Sequence, residues 1–261
     1  MARHGQAAAR LLAAGAWAIA WAVAGSAGAQ PADGPPALVP DRPDSSTGIQ
    51  IVPAGHVQVE GGMTLSRADG TTELDVGELM VRVPFSARIE ARAQVFTVDE
   101  SWGKGSAHGL VGPLVDLKWK LVDGEATDFG VVAGTSLPIG SASERSAHLQ
   151  PYGVLALDQQ LSGTFSVTLN AGVAAASGGG ATVAQLSGGA SLAWQASAKA
   201  GLYLEGFAWA RAGTETPAEE LVDGGLQLLV GERVMLDARV GVTFGKESHG
   251  VLAGVGASVI F

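Results

Sequence analysis

Asp116, Lys118 and Lys120 stand on alternate residues of this 261-residue chain, with Val115, Leu117, Trp119 and Leu121 between them. Period two puts the charges on one face of a β-strand and the apolar residues on the other. The same device recurs at Glu60, at Arg82, at Glu90 and Arg92, at Glu205, at Asp223, and at Asp237 and Arg239. Acids and bases confined to one face of many strands can line a water-filled passage and select polar or anionic solutes. They can equally neutralise one another across strands and hold the register, because a charge taken out of water needs a partner. Both roles are compatible in a wide barrel.

Other chemistry is sparse. The absence of cysteine removes disulfides, thiolate catalysis and cysteine metal sites. Asp99, Glu100 and His108, read as residues of an external loop, are the nearest approach to an acid–histidine hydrolase pair, and isolated groups in a polar loop are usually solvated. Asn170 is the single asparagine and has no histidine in its strand pair, which argues against a phospholipase. His108, His148 and His249 fall on external loops without residues placed to orient them on a metal. Gly178-Gly179-Gly180 opens no helix and is no phosphate cradle. No enzyme activity, cofactor or metal is therefore expected. A net charge of −9 without a Lys/Arg cluster argues against nucleic acid.

The elements that must position the charges are strands almost throughout. Charged residues make up only 16% of the chain, against about 25% for soluble proteins. From His56 alternation hardly stops, and twelve strands can be counted. In the second, Leu74 and Val76 share one phase while Leu79, Val81 and Val83 share the other, which a bulge near Gly77 would reconcile. The last, Gly250 to Phe261, is apolar at Val251, Ala253, Val255, Ala257, Val259 and Phe261. An even count, tight links such as Val122 to Ala126 and longer alternate ones such as Ala174 to Ala181 fit an antiparallel up-and-down transmembrane β-barrel with both ends periplasmic. Trp119, Phe129, Phe165, Trp194 and Phe261 then form an aromatic girdle at the periplasmic interface. This places the charged face in the lumen and the apolar face against outer-membrane lipid.

The N-terminus supplies an export signal. Arg3 and Arg10, the apolar run Leu11 to Ala24 and the Ala27-Gly28-Ala29 motif read as a cleaved signal peptide over residues 1–29 of a Gram-negative exported protein. Residues 30–55 hold six of the eleven prolines, a composition expected of a periplasmic linker, with a fold-back that narrows the lumen as the alternative. Residues 56–261 are then the barrel.

Three passages resemble a known family. Leu79 to Arg92 is similar to the early hairpin of the outer-membrane proteins named for the MetA-pathway of phenol degradation, with Val83-Pro84 where that family has Tyr-Gly. Asp116 to Lys120, followed by the Leu137 to Gly140 turn, and Val230 to Asp237 resemble two later segments of the same proteins. The resemblance spans about Gly55 to Phe261. It implies passive passage of a small-molecule solute, aromatic or otherwise hydrophobic, and no catalytic residues. A structural or adhesion barrel with a filled lumen is the alternative, and an outer-membrane hydrolase a remote one. Phe261, at the C-terminal carboxylate, is expected to present the last strand to the barrel-insertion machinery.

Overall fold

The computed structural model describes residues 37–42, 45–95, 97–103, 107–141, 146–178, 181–212, 218–245 and 249–261. The expected signal peptide, residues 1–29, lies outside the described residues. Fourteen strands follow one another: β1 (Gln58–Ala68), β2 (Thr71–Ser86), β3 (Ile89–Gln94), β4 (Thr97–Gly103), β5 (Ala107–Val111), β6 (Leu114–Asp123) and β7 (Thr127–Ser136) form the first half. The second half is β8 (Gln150–Gln160), β9 (Phe165–Gly178), β10 (Ala181–Gln195), β11 (Ala200–Arg211), β12 (Glu219–Leu229), β13 (Val234–Gly245) and β14 (His249–Ile260).

Fourteen strands make twelve staves. β3 pairs with the lower part of β2 through Arg82↔Arg92, and β4 with its upper part through Asp75↔Asp99, so β3 and β4 are two halves of one stave. β5 and β6, separated only by Gly112 and Pro113, are likewise halves of the next. Every described pairing is antiparallel, and β1 pairs with both β2 and β14, which closes the cylinder. Closure leaves no sheet edge to be satisfied in lipid, where water cannot solvate an orphaned backbone group.

The two faces have the polarity of a membrane barrel. β6 alternates buried and exposed along its first eight residues; Lys118 is fully covered while the next residue, Trp119, is 53% exposed. Leucines and valines crowd the outside and charges the inside, the reverse of a soluble barrel. Trp119, Phe165, Trp194 and Phe261 are exposed and Phe129 is half-buried, near the end where Phe261 meets Val57. Phe165 and Trp194 stack there at 6.2 Å. Trp102 and Phe244, at the opposite ends of β4 and β13, are exposed too and extend the aromatic pattern to the second interface.

The expected bulge is present. Glu60 faces Met80 while Gly62 faces Gly77, so one residue of β1 opposes two of β2. Gly77 and Glu78 take φ of 103° and 36°, and the inward positions change from Glu73 and Asp75 to Glu78, Met80 and Arg82. The link lengths need correction: β4, β5, β9 and β10 run through stretches expected to be external loops, carrying Asp99, Glu100 and His108 into strands. Long hairpins that project past the membrane keep their ladder hydrogen bonds and so need not end at the interface.

Leu204 is 60% exposed and faces lipid. Leu204→Arg should lower barrel stability by about 2–4 kcal/mol near the bilayer midplane. Urea unfolding in lipid vesicles, followed by tryptophan fluorescence, measures it; a loss below about 1 kcal/mol would place Leu204 away from the hydrocarbon.

Candidate functional site

The lumen is not lined by the wall alone. Residues 38–42 and 45–53, within the stretch expected as a periplasmic linker, lie inside the barrel. Among the described residues this segment joins no strand ladder. Its backbone donors are met by wall side chains instead: Val39 N–H by Gln58 Oε1 at 3.1 Å, Asp41 by both Glu60 oxygens at 2.8 and 2.7 Å, Ser45 by Glu205 at 2.5 Å. Thr47 donates to Asn170 Oδ1 at 2.5 Å, Ile49 to Asp158 at 2.9 Å and Val52 to Glu90 at 2.8 Å. A chain of this composition cannot build its own core, but a polar wall satisfies it, so that an unpaired backbone becomes a plug.

The path of the plug is a loop. Val52 enters beside Leu38 and Ile260, an apolar cluster completed by Val39, Leu229 and Met235. The chain rises past Asp158 and Asn170 to Glu205, where Ser46 Oγ also donates, and returns past Glu78 and Asp237 to Leu38. Luminal glycines make room for it, Gly62 and Gly189 among them, since a Cβ there would meet Arg42 and Ser46. A Cβ on Gly130 would meet the Ile49 side chain, and one on Gly256 would meet Arg42.

All eleven charged residues assigned to the lumen point inward and are buried: Glu60, Arg82, Glu90, Arg92, Asp116, Lys118, Lys120, Glu205, Asp223, Asp237 and Arg239. The structure joins most of them through the plug. Arg82 and Arg92 are direct cross-strand partners, a repulsive placement that Asp41 bridges, with Arg82 Nη1 2.9 Å from Oδ1 and Arg92 Nη1 bonded to Oδ2. Lys118 Nζ donates to Asp41 Oδ1 at 2.8 Å and to the Gln50 carbonyl at 3.2 Å. Burial works against the Asp41 charge, but Arg82, Lys118 and Arg92 hold its carboxyl below the usual carboxylate range. Arg92 also grips Asp116 at 2.7 Å, and Arg82 grips Glu90 at 2.8 Å and Glu60 at 3.0 Å. On the far side Arg42 pairs with Glu78 and, at 3.5 Å, with Asp237.

Asp223 and Arg239 stand apart from the plug, 3.8 Å from each other. Lys120 meets Asp128 at 3.3 Å and the plug's Gln50 Oε1 at 3.2 Å. Asp128, Asp158, Glu78 and Tyr152, whose hydroxyl donates to Asp116 at 2.5 Å, complete the network and escaped sequence reasoning. The signal existed for Asp128 and Asp158, both on the inward phase of their strands. None existed for Asp41 and Arg42, which lie in no periodic segment. His108, His148 and His249 are exposed, and His108 is the cross-strand partner of Glu100, on the face opposite to buried Asp99.

Above the plug the lumen changes character. Phe207, Trp209, Leu221 and Leu252 form an inward apolar patch, with the Phe207 and Trp209 rings 6.0 Å apart. The sequence from residue 40 to 261 matches the family described as putative MetA-pathway of phenol degradation. The chain belongs to this family. The match begins within the plug, earlier than the resemblance read from the strands. No curated protein sequence matches this chain significantly. The fold is similar to that of the COG4313 outer membrane channel from Pseudomonas putida F1, with a TM-score of 0.63, 14% identity, and 82% of this chain and 98% of that one covered. It is also similar to the NanC porin, with a TM-score of 0.54, 8% identity and 78% and 98% coverage. The translocator domain of the autotransporter NalP from Neisseria meningitidis gives a TM-score of 0.52 at 10% identity over 79% of this chain and 89% of that one. These likenesses fix the architecture as an outer-membrane β-barrel.

Glu205→Arg would drive a cation against Ser45 and Ser46 and lift the tip of the plug. The seat is directly measurable because the chain has no cysteine. Ile49→Cys places a lone thiol at a fully buried plug position. Adding Asp41→Ala leaves Lys118 without its ion partner, a change that costs about 3–5 kcal/mol when a buried pair is broken. Labelling by a membrane-impermeant maleimide should accelerate at least about tenfold, equivalent to 1.4 kcal/mol of undocking; an unchanged rate would mean that Asp41 does not hold the plug.

Proposed function

We propose that this protein is a passive outer-membrane channel for small solutes, closed at rest in its periplasmic half by its own N-terminal segment. The observation that carries this reading is the way the plug is held. It contributes no strand to the wall, and every contact described for it is a side-chain or van der Waals contact that water can replace in an open lumen. A barrel built only for structure has no need of a charged wall facing a displaceable loop. The Phe207, Trp209, Leu221 and Leu252 patch supports an aromatic or otherwise hydrophobic solute, because an apolar surface inside a polar lumen retains such a molecule before it reaches the plug.

The dense seat around Asp41 favours a second reading, a structural barrel whose lumen stays filled. Planar-bilayer conductance separates the two. The wild-type protein should show small or intermittent currents, and Asp41→Ala combined with Arg42→Ala should raise mean conductance severalfold by freeing both arms of the plug. A barrel that is silent and solute-impermeable in both forms would overturn the channel reading.

The periplasmic ends of β1 and β14 support a role for the last residue in assembly. Phe261 exchanges backbone hydrogen bonds with Val57, and its ring is 63% exposed to lipid. In this reading the ring is presented to the insertion machinery. Phe261→Ser should reduce the folded, heat-modifiable fraction in the outer membrane while leaving the conductance of the molecules that insert unchanged; normal insertion would remove Phe261 from that role.

A further inference from the structure

The apolar patch above the plug is not wholly apolar. Phe207 and Trp209 stand on alternate, inward positions of β11 with their rings 6.0 Å apart, and Leu221 and Leu252 close on Trp209 from β12 and β14. Trp209 is 5% exposed, yet its indole Nε1 has no hydrogen-bond partner among the described residues. Gln185, on the inward face of β10, is 8% exposed, and its Oε1 is unpartnered in the same way. The register makes these two residues neighbours, because Trp209 faces Ser187 and Gln185 is the next inward residue of β10. Such diagonal positions are about 7–8 Å apart, within reach of long and aromatic side chains.

A buried donor without an acceptor and a buried acceptor without a donor are both costly, and folded proteins leave few of either. The indole nitrogen can only donate, and the amide oxygen can only accept. One hydroxyl group answers both, since it accepts from the first while donating to the second. The rings and leucines beside them offer the apolar surface that the rest of a ring compound needs. Charge sets a further limit. Glu219 is the cross-strand partner of Trp209, Asp69 and Arg211 both interact with it, and Glu73 faces inward two strands beyond Leu252. A carboxylate would therefore enter among acids.

We infer that Trp209 and Gln185, with the apolar side chains around them, form a luminal subsite for a neutral aromatic compound that carries a hydroxyl group. The hydroxyl oxygen accepts from Trp209 Nε1 and its proton goes to Gln185 Oε1, while the ring rests on the apolar patch. This deepens the channel reading, on which the purpose of the subsite depends. Its place in the lumen is next to the plug: a Cβ on Gly189 would meet both the Phe207 ring and Ser46 Oγ, so ring and plug tip share one gap on β10. A solute bound there sits beside the Ser46–Glu205 contact that holds the tip.

The test uses the full-length protein in detergent, with saturation-transfer NMR as the readout and the signal from empty micelles subtracted. Benzyl alcohol, toluene and benzoate share one ring and differ only in the group it carries. The wild type should bind the alcohol at least about tenfold more tightly than either of the others, equivalent to 1.4 kcal/mol. Trp209→Phe keeps a ring and removes the N–H; it should bring the alcohol down to the affinity of toluene and leave toluene binding unchanged. Gln185→Met, of similar length, should do the same. Toluene binding and heat-modified gel mobility show that each variant is folded. Equal affinity of the wild type for alcohol and toluene, or a Trp209→Phe variant that keeps the preference, would overturn the proposal. Tighter binding of benzoate would overturn it too, by making the subsite one for anions. None of these measurements requires passage across a membrane, so a failed subsite and a failed channel reading are separate outcomes.

Discussion

The position of Asp41 constrains the rest of the molecule. The register of the β2–β3 hairpin sets Arg82 against Arg92, and one inward step along β6 from Asp116, the partner of Arg92, adds Lys118. Glu60 and Glu90 serve Arg82 and Asp116 serves Arg92, while among the described residues the ion pair of Lys118 is with Asp41. Asp41 reaches all three from the centre of the lumen. Because it comes from the plug, electrostatic balance of the wall and depth of insertion become one variable. Once Asp41 is seated, Ile49 falls under the gap left by Gly130, Arg42 reaches Glu78, and Leu38 meets Val52 and Ile260 at the entrance.

The wall also holds the plug in a way that depends little on the plug's side chains. Among the described residues six plug N–H groups donate to wall acceptors, and four of those acceptors are carboxylates: Glu60, Glu205, Asp158 and Glu90. Hydrogen bonds to charged acceptors are roughly twice as strong as neutral ones. Prolines at 40 and 53 help from the other side, since each removes a donor that the lumen would otherwise have to satisfy. Acids on the inner wall thus have two employments, pairing with Arg and Lys and receiving backbone N–H groups.

The barrel was legible because lipid imposes a rule with period two on every stave. The phase of β6, the bulge at Gly77, the inward direction of all eleven charged residues and the outward Trp119, Trp194 and Phe261 all follow from that one constraint. The plug was not legible for the same reason. Its residues obey no period, because each reaches a different stave at a different height, and a chain poor in apolar residues looks the same whether it is solvated by water or by a wall. The breaks in the third and fourth staves were hidden too: the alternation simply resumes after Gln94 and after Pro113, and only the pairing of β2 with two successive strands reveals them.

The division of the lumen follows from these contacts. Cations gather where Asp41 and Gln50 can reach them, in the half nearer Phe261, and the contacts of Glu60, Arg82, Glu90, Arg92 and Lys118 leave little there that could engage a solute while the plug is seated. The outer half presents the opposite situation. Glu73, Asp75 and Asp99 face in on one side, with Phe207, Trp209, Leu221 and Leu252 nearby around the wall, since Leu252 pairs with Ser66, which in turn pairs with Glu73. In the proposed channel a solute entering from outside would reach these side chains before it reaches the plug. Displacement then requires that wall carboxylates exchange plug N–H groups for water. Opening of the proposed channel would exchange these plug contacts for water and would not require the strands to move.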